Sequence, residues 1–324
     1  MRVLVTGGAG FIGSHTVEAL LRRGDEVVVL DNFSTGKKEN LDDILKTLAG
    51  EGIDPVPRFR LVMGDIRDPD AVKECLDGLS GIIHLAAIPA VPRSVEDPAV
   101  TSYVNYVGTI NILEEGRRAG IKRFVCASSS AVYGDTPTLP KSEDMTPTPQ
   151  SPYGVSKYAC EIFGQMFVGL YPDLNMAFLR YFNVFGPRQD PSSGYAAAIP
   201  AFVSRILRDE SPVIFGDGLQ SRDFTFVGDA VRATLLSLER VRGFSVYNVA
   251  RDSQTTLLEL LEVIYEVSGR RVEPVFAEPR PGDVLHSRAS LQKIGQEIGY
   301  RPEFSLREGL MITVRWYEQY LQKD

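Results

Sequence analysis

The first half of the chain alternates short runs of β-branched residues with longer stretches in which apolar positions recur at helical spacing. The segments RVLVT and EVVVLD are typical of buried strands, and a helix is predicted between them at 11–23. Further strands are predicted at 59–62, 82–86, 124–128 and 175–181, with helices at 69–79, 98–119 and 152–171. This order predicts an α/β fold with a doubly wound parallel sheet of six strands over residues 1–182.

The pattern changes after Asn183, where the sequence GPRQDPSSG is rich in proline, glycine and serine. Such a stretch favours a loop, and we take it as the boundary of a smaller, mixed α/β substrate-binding domain over residues 183–324. Helices are predicted there at 196–208, 229–239, 257–268 and 306–321, with short strands at 213–215, 224–227 and 246–249. The segment near 224–250 is a candidate to return to the first domain.

Composition and charge narrow the class of protein. The chain has 324 residues, of which 44% are hydrophobic and 24% charged, the range of globular proteins with room for two domains. A net charge of −7 removes the general attraction to nucleic acid, and no apolar run approaches the ~20 residues that cross a bilayer. We therefore expect a cytoplasmic protein without nucleic-acid or membrane partners.

The cysteines and histidines do not indicate a metal site. Cys75, Cys126 and Cys160 lack CxxC spacing and lie in segments predicted as core, so they are expected to be buried, reduced thiols. The three histidines lie far apart in the sequence, without the spacing of metal ligands. No metal is predicted.

Candidate cofactor chemistry begins in the segment TGGAGFIG. Gly7, Gly10 and Gly13 have GxxGxxG spacing directly after the first strand and at the start of a helix, so backbone amides can face a pyrophosphate. Glycines also simply end strands, but this context is typical of a dinucleotide-binding Rossmann domain. Phe11 and Ile12, inside the turn, are assigned to the same cofactor surface.

Asp31 indicates which dinucleotide binds. It ends the second strand, 18 residues after Gly13, where its carboxylate can accept hydrogen bonds from the adenosine ribose and would repel a 2′-phosphate. NAD is therefore favoured over NADP, with a plain turn aspartate as the structural alternative. Further cofactor-binding candidates nearby are Asn32, Ser34 and Gly36, together with Asp65 and Ile66 in MGDIRD, which are placed to cover the adenine unless Asp65 only caps its loop.

Candidate reaction chemistry lies further along the chain. Tyr153 and Lys157 in YGVSK have the four-residue spacing that puts both side chains on one helix face. A serine cluster, Ser128, Ser129 and Ser130, leaves the fifth strand at its carboxyl end, the expected ligand edge of such a sheet. Lys157 and a positively charged nicotinamide would favour the phenolate of Tyr153, making it a usable general base. A serine-rich turn that only caps a neighbouring helix is the structural alternative.

Together, TGGAGFIG, Asp31, HLAA, SSSAVYG and YGVSK resemble the extended short-chain dehydrogenase/reductase family over essentially the whole chain, and within it the UDP-sugar 4-epimerases. The resemblance implies that Tyr153 takes the proton of the sugar 4′-hydroxyl as hydride leaves C4 for NAD, that Ser129 holds the same oxygen, and that Lys157 bridges Tyr153 and the nicotinamide ribose. The 4-keto sugar then turns over and takes the hydride back, so NAD stays bound. It also assigns to the cofactor Leu85, Ala86, Ala87, Pro89, Ser128, Tyr153, Lys157 and Tyr181.

The choice of serine and of reaction rests on the same segment. Ser129 is preferred to Ser130 as the catalytic hydroxyl because it falls four residues before Tyr133, as the family's hydroxyl does. Sugar dehydratases and UDP-glucuronate decarboxylases of the family carry an acidic residue here, whereas this chain has Ala131. Without that acid, dehydration lacks its proton acceptor, and epimerisation is favoured.

The resemblance also implies the substrate-binding residues. Arg222 and Arg280 would clamp the two phosphates. The others are Asn183 at the phosphates or sugar, Phe215 beside the uracil, Asp283 at the uridine ribose, and Ser130 beside Ser129. Ser287 replaces a bulky tyrosine of epimerases restricted to non-acetylated sugars, so a 2-acetamido group is expected to fit and UDP-N-acetylglucosamine to be accepted beside UDP-glucose.

Two functional alternatives remain open. A UDP-glucuronate 4-epimerase would need a polar anchor for the sugar carboxylate, and Arg93 is a candidate for it. A non-catalytic NAD sensor would have the glycine turn but usually lacks the tyrosine–lysine pair. The helices at 98–119 and 152–171 have apolar positions on more than one face, and the resemblance implies a homodimer through them, with packing inside the monomer as the alternative.

Overall fold

The computed structural model describes residues 1–89, 91–191, 197–279 and 285–322. Its strands are β1 (Arg2–Thr6), β2 (Glu26–Asp31), β3 (Phe59–Met63), β4 (Gly81–His84), β5 (Arg123–Ser129), β6 (Asn175–Tyr181), β7 (Val184–Phe185), β8 (Val213–Phe215), β9 (Ser221–Arg222), β10 (Thr225–Phe226), β11 (Phe244–Val249), β12 (Thr255–Thr256) and β13 (Val275–Ala277). Seven of them form one parallel sheet in the order β11-β6-β5-β4-β1-β2-β3. The predicted doubly wound α/β fold is therefore confirmed.

The helices lie on both faces of this sheet and in a C-terminal lobe. They are α1 (Phe11–Arg23), α2 (Lys38–Gly50), α3 (Pro69–Glu74), α4 (Val91–Glu96), α5 (Pro98–Ser102), α6 (Gly108–Arg118), α7 (Pro152–Leu170), α8 (Ala198–Leu207), α9 (Val227–Arg240), α10 (Leu257–Ser268), α11 (Gln292–Ile298) and α12 (Leu306–Tyr320). Two 3₁₀ turns occupy Val56–Arg58 and Ser130–Tyr133, and a π-helical turn occupies Tyr103–Val107. None of the helices in the described residues is long and apolar enough to cross a membrane.

The central strands of the sheet consist largely of apolar residues because both faces of the sheet are covered. Val3 and Val5 of β1 pack into a core with α1, α2, α9 and α11, whereas Leu4 between them packs into a core with α3, α6 and α7. Successive side chains of a strand point to opposite faces, so a strand between two helical layers needs apolar residues at every position. A third core joins α8, α10 and α12 beneath the short strand pairs of the C-terminal lobe.

Several elements differ from the sequence prediction. The sheet has a seventh strand, β11, which was predicted as a shorter strand of the second domain and pairs in parallel with β6. The helix predicted at 98–119 is divided into α5, the π-helical turn and α6. Within this turn the side chain of Asn105 hydrogen-bonds both backbone groups of Ile88. The helices α2 and α4 were not predicted, and α3 ends earlier than expected.

The buried-thiol prediction is confirmed. Cys75, Cys126 and Cys160 are buried and free. Burial raises the pKa of the Cys75 thiol to about 11, which keeps it protonated at neutral pH.

Candidate functional site

A cavity of about 820 Å³ lies at the carboxyl ends of the parallel strands. The order of strands reverses at β1, which lies between β4 and β2, and ligands of doubly wound sheets bind at such a switch point. Every predicted cofactor-binding residue lines this cavity, as do Arg93, Ser129, Ser130, Tyr153, Asn183, Arg222 and Ser287 of the predicted substrate site. Phe215, predicted to lie beside the uracil, is at the end of β8 and is not among the described residues that line the cavity. Arg280 and Asp283, also predicted for the substrate site, lie outside the described residues.

The glycine turn brings backbone directly to the cavity wall. Gly7 has a φ of +69°, and a Cβ there would lie 2.8 Å from the Cα of Ala86. A Cβ on Gly13 would overlap the carbonyl oxygen of Gly7. Gly10, the N-cap of α1, supplies no side-chain cap, and the first turn of the helix contains no acidic residue. The N–H groups of this turn are therefore available to an anionic ligand at the positive end of the helix.

Asp31 is held in a fixed orientation at the end of β2. One carboxylate oxygen accepts a hydrogen bond from the backbone N–H of Ala9 at 2.9 Å, and the other accepts one from Phe33 at 2.8 Å. Burial raises the pKa of this carboxyl, and the two backbone hydrogen bonds oppose that rise. Each oxygen keeps a lone pair for a hydroxyl donor in the cavity.

Arg67 was not predicted from the sequence, although it lies in MGDIRD beside Asp65. Its guanidinium donates to both carboxylate oxygens of Asp65, at 2.9 and 2.8 Å, and Asn32 donates to one of them at 2.8 Å. Arg67 lowers the pKa of Asp65 to about 2. The pair forms a polar edge beside Ile66 in the part of the cavity lined by the predicted cofactor-binding residues, which we call the cofactor end for that predicted role.

The three predicted catalytic side chains line the same cavity from two elements. Ser129 ends β5, and its hydroxyl oxygen accepts a hydrogen bond from the N–H of Ala131 at 3.1 Å. Tyr153 and Lys157 lie in the first turns of α7, with the ammonium 6.0 Å from the centre of the tyrosine ring. Lys157 is buried and donates to the carbonyl oxygen of Ala127 at 2.9 Å, which ties α7 to β5. The described part of the chain contains no group of potential ligands that could hold a metal ion.

The backbone of Tyr153 is fixed at both of its polar groups. Its N–H donates to the hydroxyl of Ser94 at 3.1 Å, and its carbonyl accepts from the hydroxyl of Ser156 at 2.8 Å. Ser151 caps the start of the helix by accepting from the N–H of Gly154. The position of the phenol is thus set by contacts on two sides of the helix start.

A buried chain of hydrogen bonds joins the glycine turn to α6 and was not visible in the sequence. His84 lies 2.7 Å from the hydroxyl of Thr6 through Nδ1 and 2.9 Å from the hydroxyl of Thr109 through Nε2. Thr6 accepts from the N–H of Ala86, and Thr109 donates to the carbonyl of Asn105. These directions assign the hydrogen of the imidazole to Nε2. Burial lowers the pKa of His84 to about 3, so the ring is neutral.

Ser128 contacts a buried ion pair on the inner side of the cavity. Its hydroxyl donates to Glu161 at 2.5 Å, and Arg180 donates to both oxygens of that carboxylate, at 2.9 and 2.7 Å. Arg180 also lies 4.7 Å from the centre of the Tyr133 ring. The hydroxyl of Ser128 is therefore engaged by the protein, whereas no donor bond is recorded for that of Ser129 within the described residues.

The part of the cavity lined by Gln189, Arg222 and Ser287, which we call the substrate end for its predicted role, contains buried polar atoms without hydrogen-bond partners among the described residues. The hydroxyl of Ser287 and the amide oxygen of Gln189 are buried and lack a hydrogen-bond partner among the described residues. Arg222 donates to the carbonyls of Ser221 and Leu285, at 3.0 and 3.2 Å, which holds its guanidinium at the wall. Two polar atoms of this part of the cavity, on Ser287 and Gln189, thus have no hydrogen-bond partner among the described residues.

Asp223 connects two loops near the substrate end through hydrogen bonds of its side chain. Its buried carboxylate accepts hydrogen bonds from the backbone N–H groups of Arg251, Ser253 and Ala289, at 3.0 to 3.3 Å. Burial raises the pKa of Asp223 to about 6, against the effect of these three donors. Its own carbonyl accepts from the side chain of Asn183 at 3.3 Å.

The chain resembles known proteins along its length. The model of the NAD dependent epimerase/dehydratase family matches residues 3–250. A UDP-glucose 4-epimerase of Mycolicibacterium smegmatis is 40% identical over 324 aligned positions, which cover 98% of each chain. A UDP-glucuronate 4-epimerase of Thermodesulfobacterium geofontis is 32% identical, covering 98% of this chain and 97% of that one.

Two solved structures superpose closely on this fold. The UDP-glucose 4-epimerase of Thermotoga maritima with UDP-glucose has a TM-score of 0.91 at 37% identity, covering 99% of this chain and 100% of that one. The UDP-N-acetylglucosamine 4-epimerase of Methanobrevibacter ruminantium in complex with UDP-N-acetylmuramic acid also has a TM-score of 0.91, at 38% identity, covering 100% of this chain and 99% of that one.

Proposed function

The chain belongs to the NAD-dependent epimerase/dehydratase family and is an NAD-dependent UDP-sugar 4-epimerase, and from this premise we propose that it interconverts two pairs of sugar nucleotides. The pairs are UDP-glucose with UDP-galactose, and UDP-N-acetylglucosamine with UDP-N-acetylgalactosamine. The observation that carries the proposal is that Ser129, Tyr153 and Lys157 share one cavity with the glycine turn and with the small residue Ser287.

The cofactor end fits NAD. Side chains at Gly7 and Gly13 would collide with the protein's own backbone, so only glycine allows this tight turn at the cavity wall. The first turn of α1 then offers uncapped N–H groups to a pyrophosphate. The carboxylate of Asp31 is placed to accept the hydroxyls of an unphosphorylated ribose. NAD, when bound, supplies a reversible oxidant for C4 of the sugar.

The chain's own residues handle the proton and the sugar oxygen. In this proposal Tyr153 accepts the proton of the sugar 4′-hydroxyl and later returns it, while Ser129 hydrogen-bonds the same oxygen. Lys157, anchored on the carbonyl of Ala127, holds its ammonium 6.0 Å from the centre of the Tyr153 ring, between this ring and the nicotinamide ribose in this proposal. Inversion requires the 4-keto sugar to present both of its faces in turn to the nicotinamide.

Acceptance of the acetylated sugar rests on the size of Ser287. Its side chain lines the cavity, and its buried hydroxyl has no partner among the described residues. A tyrosine at this position would fill space that a serine leaves to a 2-acetamido group. The amide N–H or carbonyl of that group could also complete the hydrogen bonding of the serine hydroxyl.

A substrate panel tests the proposal. Purified protein is incubated separately with UDP-glucose, UDP-N-acetylglucosamine and UDP-glucuronate, and the products are separated chromatographically. We expect 4-epimers of the first two. Conversion of UDP-glucuronate alone would favour the rival function, in which Arg93 at the cavity wall anchors a carboxylate. Conversion of UDP-glucose without UDP-N-acetylglucosamine would refute the role given to Ser287.

We also propose that the protein is a homodimer through α7 and the neighbouring segment 91–107. Val155, Ile162 and Met166 on α7 are about half exposed and recur at helical spacing, and Tyr103 is exposed beside them. Sedimentation of the double variant Ile162→Glu/Met166→Glu should show a monomer where the parent shows a dimer. Met311→Glu on α12 is the matched control, because Met311 is exposed on another face. A monomeric parent would contradict the proposal of a homodimer.

The location of the protein in the cytoplasm stays a prediction.

A further inference from the structure

Lys141 is a buried lysine at the cavity that neither the glycine turn nor the catalytic residues explain. Its side chain is 2% exposed and lines the cavity. Its ammonium donates to the carbonyl and hydroxyl oxygens of Thr136, and no carboxylate of the described residues forms an ion pair with it. A buried ammonium with only neutral partners is costly, since desolvation is not repaid by an opposite charge.

The backbone of Lys141 places it at the end of the cavity where the sugar reacts. Its N–H donates to the carbonyl of Arg288 at 2.7 Å, and its carbonyl accepts from Ser290 at 2.8 Å, so it pairs with the segment that carries Ser287. Its side chain reaches Thr136, two residues beyond Gly134 at the end of the turn that follows Ser129. Lys141 therefore lies between the catalytic serine segment and the segment of Ser287.

The hydrogen-bonding capacity of the ammonium is not exhausted by these contacts. A lysine has three N–H donors and no acceptor, and Thr136 receives only two of them. Burial lowers the pKa of Lys141, an effect that the more distant Asp135 opposes. A cavity-lining group of this kind is typical of a ligand-recognition site.

We propose that Lys141 is a specificity-determining residue, whose third N–H donates to the carbonyl oxygen of the 2-acetamido group that Ser287 makes room for. This inference rests on the proposed function, because it concerns the acetylated substrate. A carbonyl is a strong acceptor, and donation from a charged group makes the hydrogen bond stronger than one from a neutral donor. Ser287 supplies the space, and Lys141 supplies a positive interaction that the unacetylated sugar cannot make.

The test compares kcat/KM and binding for the two classes of sugar in the variant Lys141→Met. We expect a loss of at least about tenfold in kcat/KM and in calorimetric affinity for UDP-N-acetylglucosamine, with a change below about threefold for UDP-glucose, because one charge-assisted hydrogen bond is lost. Lys141→Arg, which keeps the charge and the donors, should recover most of the loss. Equal losses on both sugars would show that Lys141 only supports the loop at Thr136, and an unchanged preference would also overturn the inference.

Two further readouts keep the outcomes separate. Thermal unfolding of Lys141→Met shows whether the fold is retained. If it is not, Lys141→Gln keeps a neutral donor for Thr136 but removes the charge, and it should still weaken binding of UDP-N-acetylglucosamine more than binding of UDP-glucose. Failure of the parent enzyme to bind or convert UDP-N-acetylglucosamine would overturn the proposed substrate itself. Normal conversion by the parent with no change in Lys141→Met would overturn only the role of Lys141.

Discussion

The two ends of the cavity satisfy their polar groups in opposite ways. At the cofactor end, His84 has partners on both ring nitrogens, and both oxygens of Asp31 accept backbone hydrogen bonds. At the substrate end, Ser287 and Gln189 have buried oxygens without partners among the described residues. The first arrangement is typical of a preorganised site, which fits the predicted role in binding NAD, whereas the second leaves hydrogen-bonding capacity, which fits the predicted role in binding an exchanging substrate.

The largest effect is expected where the two ends meet, at Tyr153. Tyr153→Phe removes the hydroxyl that moves the proton but keeps the ring, and we expect epimerisation to fall about 10³-fold, as for loss of a general acid–base group. Bound NAD, measured after denaturation, should stay near the level of the parent, because the ring of Tyr153 and all other predicted cofactor-binding residues are kept. Ser130→Ala is the comparison variant and should lose far less activity. Parent-level turnover in Tyr153→Phe would remove the catalytic assignment.

The next largest effect concerns the cofactor end alone. In Gly13→Ala the new Cβ overlaps the carbonyl oxygen of Gly7, so the turn must open. Direct titration should show NAD affinity reduced by about 100-fold or more, equal to about 2.7 kcal/mol. Gly50→Ala is the matched control, because no atom lies within 4 Å of a Cβ there. Equal NAD affinity in the two variants would show that the turn does not contact the cofactor.

The substrate end is tested by Ser287→Tyr. The added ring should occupy the space of the acetamido group and reduce kcat/KM for UDP-N-acetylglucosamine by about 100-fold, while UDP-glucose is still converted, since filling a pocket excludes the larger ligand by a few kcal/mol. Ser287→Ala, the control, should retain both activities. An equal loss of kcat/KM on both sugars would mean that the substitution damages the site generally and does not specifically exclude the acetamido group.

The smallest effect is a pH dependence of stability that arises at the cofactor end. His84 has a pKa of about 3 in the folded protein and an ordinary value of 6.5 when unfolded, so below pH 6.5 the unfolded state binds a proton that the folded state does not. Stability is therefore lost on acidification. Between pH 7 and pH 5 the parent should lose about 2 kcal/mol more of its free energy of unfolding in urea than His84→Gln does. Parallel losses would mean that His84 is not held neutral.

The sequence predicted the features that are local or periodic. Apolar runs indicated the strands because both faces of the sheet are covered, and the spacing of Gly7, Gly10 and Gly13 indicated a tight turn at the start of a helix. The seventh strand was harder to place, because pairing of β11 with β6 depends on contacts between segments far apart in the chain. That distance is also why Thr6, His84 and Thr109 gave no signal in the sequence.

The residues of the candidate site also differ in whether the sequence alone could predict them. Tyr153 and Lys157 could be predicted from one helix turn, whereas Lys141 became visible only when its backbone was found beside Ser290 and its side chain at the cavity. The π-helical turn at Tyr103–Val107 was not predicted, and the hydrogen bonds of its Asn105 to Ile88 join segments that the local periodicity does not connect. The roles of the individual site residues remain predictions that the variants above test.

The most direct test of transient oxidation at C4 uses UDP-glucose labelled with deuterium at that carbon. Purified enzyme is given the labelled substrate without added NAD, and the epimer is examined by mass spectrometry and nuclear magnetic resonance. We expect UDP-galactose to form with the deuterium retained at C4, because the atom returns to the same carbon from a cofactor that never leaves the cavity. UDP-galactose that carries hydrogen from the solvent at C4 in place of the deuterium would contradict this expectation.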